Sequence, residues 1–530
     1  MHYGVKAREL PASHSFRAIV LALAIATAAL GGPHLLSSAQ AASLPSANLL
    51  TGETVLPDST VGSWQAVGAE RLSPQPWDDG TASVVVVSAQ PGEVLAQTGP
   101  SLVGVQPGAL YTGSVDMRAA TSAAPVSAQL RWFTSAGDEV TGDRVTGYTI
   151  NDGAAGWTSF KVAGLAPANA SFVTLGVDVV TAAAGESHYL ARPLLTVSTG
   201  GSSRVTGPLR TVGNKVVDGK GMTVVLRGMN RSGQYERARP SGLTSYDIGR
   251  IKAWGANVVR VTLGEQLWLP GCASYDSTYA SAIDDDVSWI TSAGMIAVLD
   301  LQWNAPTCDS AGLNPLPDSS SVTFWQQVAT RYRSNPLVAF DLFNEPHDVT
   351  STQWRDGGTV TSIAGAPYKG VGMKALYDAV RGTGATNLVL IGGTNWASQW
   401  PTTAPLASTS NVVYAVHAYN CDRPSACTNG TGISWLLDPF VTPGKTSPIM
   451  VSEFGWPSAS APQAWAFNSN VIKEAEANGW SWSAWDWDRD GTCATATWFN
   501  VISPGTCGPA GTYEPSVAGQ PLLTGLAKNS

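Results

Sequence analysis

Asn335-Pro-Leu-Val-Ala-Phe-Asp-Leu-Phe-Asn-Glu-Pro-His-Asp348 is the stretch whose reading decides the fold. The apolar run from Leu337 to Phe343, broken only by Asp341, reads as a buried strand that stops at Asn344-Glu345-Pro346. A carboxylate is thereby set at the C-terminal tip of an interior strand, where it costs free energy unless it is hydrogen-bonded or used. Pro346 then takes the chain out of the ladder. Taken alone, Glu345 reads equally well as the start of a loop or a helix cap. A second strand ending in the same way, at Glu453, favours a site.

Around that strand, elements of the two kinds alternate. Strand patterns lie at 224–229, 256–263, 295–302, 337–344, 387–393, 411–419, 447–453 and 480–486. Helical patterns fall between them near 244–254, 279–293, 319–333, 368–384, 401–407, 433–440 and 463–478, with a last one near 516–527. Eight such units over about 300 residues predict an α/β fold, a (β/α)8 TIM barrel. A doubly wound open sheet is the competing arrangement. It lacks support because no Gly-rich phosphate loop follows the first strand and polar residues end nearly every strand. Those strand ends are Asn230, Arg260, Gln302-Trp303-Asn304, Asn344-Glu345, Asn395-Trp396, His417-Ala418-Tyr419, Glu453 and Trp485-Asp486.

Residues 45–198 have a different rhythm, with short alternating segments separated by turns such as Gln106-Pro107-Gly108. This predicts an all-β jelly-roll sandwich ahead of the barrel. Thr199-Gly-Gly-Ser-Ser203 opens a linker over 199–207, and the barrel domain is expected over 208–530. At the start, Lys6, Arg8 and Arg17 precede an apolar run from Ala18 to Leu30 and a small-residue site at Ala39-Gln40-Ala41. Residues 1–41 are therefore expected to be a signal peptide, the run being too short to span a bilayer. A secreted, extracellular protein without further membrane attachment follows.

Composition narrows the partners. In 530 residues only 13% are charged, the formal net charge is -8, and no basic block occurs, so nucleic acid is not an expected partner. The 20 Trp suit flat uncharged ligands such as sugar rings, although core packing accounts for most of them. The six Cys suggest the pairs Cys272 with Cys308, Cys421 with Cys427 and Cys493 with Cys507, among 15 connectivities that sequence alone leaves open. Zinc is disfavoured because no C-x-x-C pair occurs. Asp486-Trp-Asp-Arg-Asp-Gly491 opens like a calcium loop, but its twelfth position is Thr497 and not Glu, so neither metal nor cofactor is expected.

Two carboxylates on different strands of one cavity are what glycoside hydrolysis requires. The segments Leu226-Arg-Gly-Met-Asn-Arg-Ser-Gly233, Asn344-Glu-Pro346, His417-Ala-Tyr419, Ser452-Glu-Phe-Gly455 and Trp485, in this order, resemble glycoside hydrolase family five over residues 208–527. That resemblance implies a retaining enzyme of the larger clan that places its two glutamates on strands four and seven. Glu345 would be the acid/base and Glu453 the nucleophile, with Arg260 and Tyr419 holding Glu453 ionised and oriented. Asn344 would bind the sugar 2-hydroxyl, His417 would lie beside the acid/base, and Trp485 would stack on the ring at the cleavage point. Gln302 stands where the family usually has a His, which touches substrate contacts more than the two-glutamate chemistry.

The N-terminal region resembles carbohydrate-binding modules of families four and nine through Asn48 to Leu50, Pro107 to Thr112, Leu130 to Phe133 and Trp157 to Phe160. That resemblance makes Trp64, Trp77, Tyr111, Trp132 and Trp157 sugar-stacking candidates, with core packing the plainer reading of Trp132 and Trp157. The expected partner is therefore a β-linked polysaccharide or oligosaccharide bound by a monomer. Cellulose-like glucan comes first and mannan second, and a barrel that binds sugar without cleaving it is the alternative.

Overall fold

The computed structural model describes residues 48–50 and most of 63–529; residues 1–47, 51–62, 199–204, 238–243, 421–429, 488–498 and 507–512 are the longer segments outside that description. Eight parallel strands close into a barrel: Arg227–Arg231, Val258–Gly264, Ile296–Trp303, Val338–Asp341, Val389–Gly392, Val412–Tyr419, Ile449–Gly455 and Ser481–Ala484. Closure excludes the open sheet. The last strand pairs with the first through Trp482 and Arg227.

One boundary moved. The first strand was expected at 224–229, but Thr223–Val224 instead ends a three-stranded sheet with Arg210–Val212 and Lys215–Val217, and the barrel strand begins at Arg227. Its apolar content misled, because a strand buried on both faces and the end of a preceding hairpin share the same composition. Gly228 belongs inside this strand for a steric reason: a Cβ there would sit 1.9 Å from Val258 O on the neighbouring strand.

Helices Ser245–Ala253, Tyr279–Ser292, Ser319–Tyr332, Met373–Gly382, Ser434–Val441, Pro462–Asn478 and Gln520–Leu526 match the predicted helical segments. The pattern near 401–407 forms no helix among its described residues. After the fourth strand the chain adds a short helix, Ser351–Asp356, and a hairpin, Gly358–Thr361 with Pro367–Gly370, that the sequence reading did not separate out. One buried cluster, with Leu299, Phe340, Ile391, Val451 and Trp482 among its members, joins the strands to the surrounding helices.

Residues 64–198 form two antiparallel sheets over a separate apolar cluster that includes Val115, Leu130, Leu175 and Leu190. Strand alternation produces it: Val126, Ala128, Leu130 and Trp132 of strand Pro125–Phe133 all point into the cluster. Trp64, Tyr111 and Trp132 are buried there, so they pack the core and offer no surface to a sugar. Trp157 is half-buried with the Arg192 guanidinium 5.0 Å from its ring centroid, and Trp77 lies outside the described residues. Strand Thr158–Leu165 of this region faces helices Pro462–Asn478 and Gln520–Leu526 across a cleft of about 540 Å³. That cleft is on the outer wall, away from the strand-end carboxylates.

Candidate active site

Seven of the polar strand ends, Asn230, Arg260, Asn344, Glu345, His417, Tyr419 and Glu453, meet in one place. Glu345 follows the fourth strand and Glu453 lies in the seventh, and a carboxylate oxygen of each, with a ring nitrogen of His417, lie within 4.8 Å of one another. The barrel makes this possible because strands far apart in sequence deliver their C-terminal ends to a common rim.

Arg260, fully buried on the second strand, organises the floor. Its Nη1 donates to Glu453 Oε1 at 2.6 Å and to Asn230 Oδ1 at 3.0 Å, its Nη2 to Asn344 Oδ1 at 2.9 Å, and its Nε to Asp341 Oδ2 at 2.9 Å. Asp300 Oδ1 is also 2.9 Å from Nη2. One guanidinium thus faces three carboxylates. Charge balance among buried groups favours a proton on one of them, and burial pushes the Asp300 carboxyl well above its ordinary range, with Arg260 opposing. Neither Asp300 nor Asp341 was among the sequence candidates, although Asp341 interrupts the apolar run from Leu337 to Phe343. A carboxylate inside a strand without a visible partner was the available signal.

Tyr419 donates its hydroxyl to Glu453 Oε2 at 2.8 Å, so both oxygens of Glu453 have a donor. Burial nevertheless raises the Glu453 carboxyl above its ordinary value; His417, Arg260 and the Tyr419 hydrogen bond oppose that rise, and Glu345 adds to it. The expected support from Arg260 and Tyr419 is present as geometry, working against desolvation. Glu345 is pushed up to about 7 by burial, against the pull of Arg260 and His347. The two carboxylates stand in different surroundings: Glu453 has two donors, whereas Glu345 has the His417 ring nitrogen Nδ1 at 2.8 Å from Oε1. Burial brings His417 down to about 4. A neutral imidazole at that place accepts a hydrogen bond from the acid form of Glu345, or donates one from Nδ1 to its ionised form.

Gln302 is buried near the rim of the third strand, and its Oε1 has no hydrogen-bond partner within the protein. Trp485 is half-buried directly after the eighth strand and donates its backbone N–H to Phe454 O at 2.9 Å. Gly455 lets this happen: a Cβ there would stand 2.7 Å from Trp485 O. Beside Glu345, the ring of His347 stacks on Trp396 at 3.7 Å with planes 3° apart. Asn395, Trp396 and Ala397 all adopt positive φ, at 53°, 61° and 54°, and the Trp396 N–H donates to Pro346 O at 2.9 Å. Three successive non-glycine residues in the left-handed region are costly, and such strain gathers where a side chain must be aimed. The aromatic pair was missed because sequence separates its members by 49 positions.

The loops above the rim are stapled by the Cys272–Cys308 disulfide, with Cα atoms 4.8 Å apart. The other two expected pairs involve Cys421, Cys427, Cys493 and Cys507, all outside the described residues, as is most of the 486–491 segment weighed for calcium.

Comparison with known proteins gives a family. The family model described as "Cellulase (glycosyl hydrolase family 5)" matches residues 217–491, just over half of the 530. Among relatives, the chain is 27% identical over 263 residues to the "Manganese dependent endoglucanase Eg5A" of Phanerodontia chrysosporium, covering 45% of this chain and 64% of that protein. It is 29% identical over 231 residues to "Endoglucanase 1" of Saitozyma flava, covering 39% and 63%. The match spans less than two thirds of either relative's length. A solved structure, the native β-glucanase SdGluc5_26A from Saccharophagus degradans, superposes with a TM-score of 0.45 at 20% identity over 61% of this chain and 94% of its own. With its two glutamates, arginine, histidine and tyrosine gathered at the C-terminal ends of a closed parallel barrel, and with the family's model matched across that barrel, the chain belongs to glycosyl hydrolase family 5.

Proposed function

We propose that this protein is a secreted β-glycoside hydrolase of the cellulase type that cleaves a β-linked glycan with retention, through a covalent glycosyl-Glu453 intermediate. The observation that carries the proposal is the approach of the Glu345 and Glu453 carboxylates to within 4.8 Å. Retaining enzymes hold the pair about 5 to 5.5 Å apart, whereas inverting enzymes need about 6.5 to 9.5 Å to admit a water.

In this reading Glu345, protonated because burial raises it, gives its proton to the departing glycosidic oxygen as Glu453 attacks the anomeric carbon. Glu345, now a carboxylate, takes a proton from the water that opens the glycosyl ester, and both groups return to their starting forms. Arg260 and Tyr419 aim the two oxygens of Glu453 and stabilise its charge before attack and after release. Asn344, held by Arg260, binds the sugar 2-hydroxyl in this reading, and Trp485 stacks on the ring at the cleavage point. Gln302 offers its partnerless oxygen to a sugar hydroxyl where the family's usual imidazole would stand.

Residues 1–41 are proposed to direct export, and residues 45–198, joined through 199–207 to the catalytic 208–530, to serve as a carbohydrate-binding-like module. The burial of Trp64, Tyr111 and Trp132 leaves Trp157 as its half-exposed aromatic candidate among the described residues. Glucan is the first substrate choice, since relatives are named endoglucanases. Mannan is second.

The test is a substrate panel of β-glucans, mannans, xylans and aryl glycosides, run with the native protein and Glu453→Gln. Turnover that disappears in the variant, with product of retained anomeric configuration, supports the proposal. An inverted product overturns the mechanism, and sugar binding without turnover on the whole panel moves the reading to a non-catalytic barrel.

A further inference from the structure

We infer that Trp435 is a distal glycan-stacking platform, engaging the part of a long β-linked chain that lies beyond the cleavage site. The inference rests on the hydrolase reading above and adds a binding position to it.

Trp435 is 52% exposed, and among the described residues it is the one tryptophan in the set of exposed large apolar side chains. A single exposed apolar residue needs no explanation in general. Its placement is what calls for one here. Helix Ser434–Val441 follows the sixth barrel strand, so its first turn stands on the face where the strands end and the glutamates gather. The indole is also fixed: Nε1 donates to Asn420 Oδ1 at 3.2 Å, and Asn420, itself 8% exposed, donates from Nδ2 to Gly432 O at 3.2 Å and to Gly430 O.

Asn420 directly follows Tyr419, whose hydroxyl holds Glu453. That chain of contacts keeps the indole within about 20 Å of the nucleophile, since neighbouring Cα atoms are about 3.8 Å apart and each side chain reaches only a few ångströms. A chain of a few sugar rings spans that gap. The indole's only polar atom is already satisfied, which leaves an uncharged aromatic face open to solvent in a tethered orientation. Sugar rings present C–H faces to such a surface, and a ring that is already immobilised loses little conformational freedom on binding.

Two measurements test this. First, Trp435→Ala and Trp435→Phe are compared with the native protein on the preferred polysaccharide and on a short aryl glycoside of the same sugar. The alanine variant is expected to raise KM for the polymer roughly three- to tenfold, the scale of one aromatic stacking contact, with aryl glycoside turnover unchanged and the phenylalanine variant close to native. Equal losses on both substrates, or an unchanged KM for the polymer, overturn the assignment. Second, calorimetry with cello- and manno-oligosaccharides of two to six rings is run on Glu345→Gln, with and without Trp435→Ala. The assignment requires the alanine change to weaken the long oligosaccharides and spare the short ones. Length-independent affinities, or no binding of either series, overturn it. If the native protein cleaves nothing yet this length dependence is found, the hydrolase reading fails and the platform stands.

Discussion

The guanidinium of Arg260 donates from Nε to Asp341 Oδ2 at 2.9 Å, which leaves Nη1 for Glu453 Oε1 at 2.6 Å. Of the three carboxylates around this fully buried cation, Asp341 holds it in place and Glu453 is positioned by it. Removing the holder is expected to act twice. Asp341→Ala should lower stability by about 3 to 5 kcal/mol, the usual result of breaking a buried pair, and should lower kcat through a displaced Arg260. Thermal unfolding and kinetics on one sample measure both.

Arg260→Lys keeps the charge and loses the fork. A lysine ammonium cannot reach Asp341, Asn230, Asn344 and Glu453 in the same fixed geometry, so kcat/KM is expected to fall about a hundredfold or more. A loss below tenfold would show that charge alone serves Glu453.

Under the proposed mechanism, Glu345→Gln removes the proton donor and leaves Glu453 in place. The loss should track the leaving group: about 10²- to 10⁴-fold on a polysaccharide, and far less on an aryl glycoside whose phenolate departs without protonation. Comparing the two substrates measures the difference, and equal losses would contradict the acid role of Glu345.

The pH profile follows from the raised carboxyl groups. Glu345 must be protonated for the first step, so kcat/KM is expected to fall as pH rises through its value of about 7. Glu453 must be ionised, so activity also falls on the acid side, as pH drops through a value above the ordinary glutamate range. His417, brought down to about 4, is neutral across the working range between these limbs. A pH titration of kcat/KM measures both limbs; the alkaline limb should vanish in Glu345→Gln on an aryl glycoside.

Gln302→Ala removes a buried carbonyl oxygen that has no partner within the protein. If that oxygen meets a sugar hydroxyl, KM should rise about three- to tenfold, the scale of one neutral hydrogen bond, with the pH limbs unmoved. Initial rates at several pH values separate this from an effect on the carboxylates.

The sequence by itself determined the barrel and singled out the two glutamates as candidates. Short apolar runs for the strands, a period near 3.6 between them and polar residues at the strand ends are local properties, and each can be read without knowing what lies across the barrel. Glu345 and Glu453 were visible because each ends an apolar run, where a carboxylate is costly.

Only the tertiary structure decided what surrounds them. Asp300 and Asp341 look like isolated interruptions of strands until Arg260 is found between them. The His347 and Trp396 stack exists because two loops meet, and the surface candidates Trp64 and Tyr111 became core residues once the two sheets closed over them. Burial, and with it the rise of Glu345 and the fall of His417, depends on every neighbour that excludes water. Those neighbours come from strands distant in the chain, which is why the candidate pair could be picked out locally and its surroundings could not.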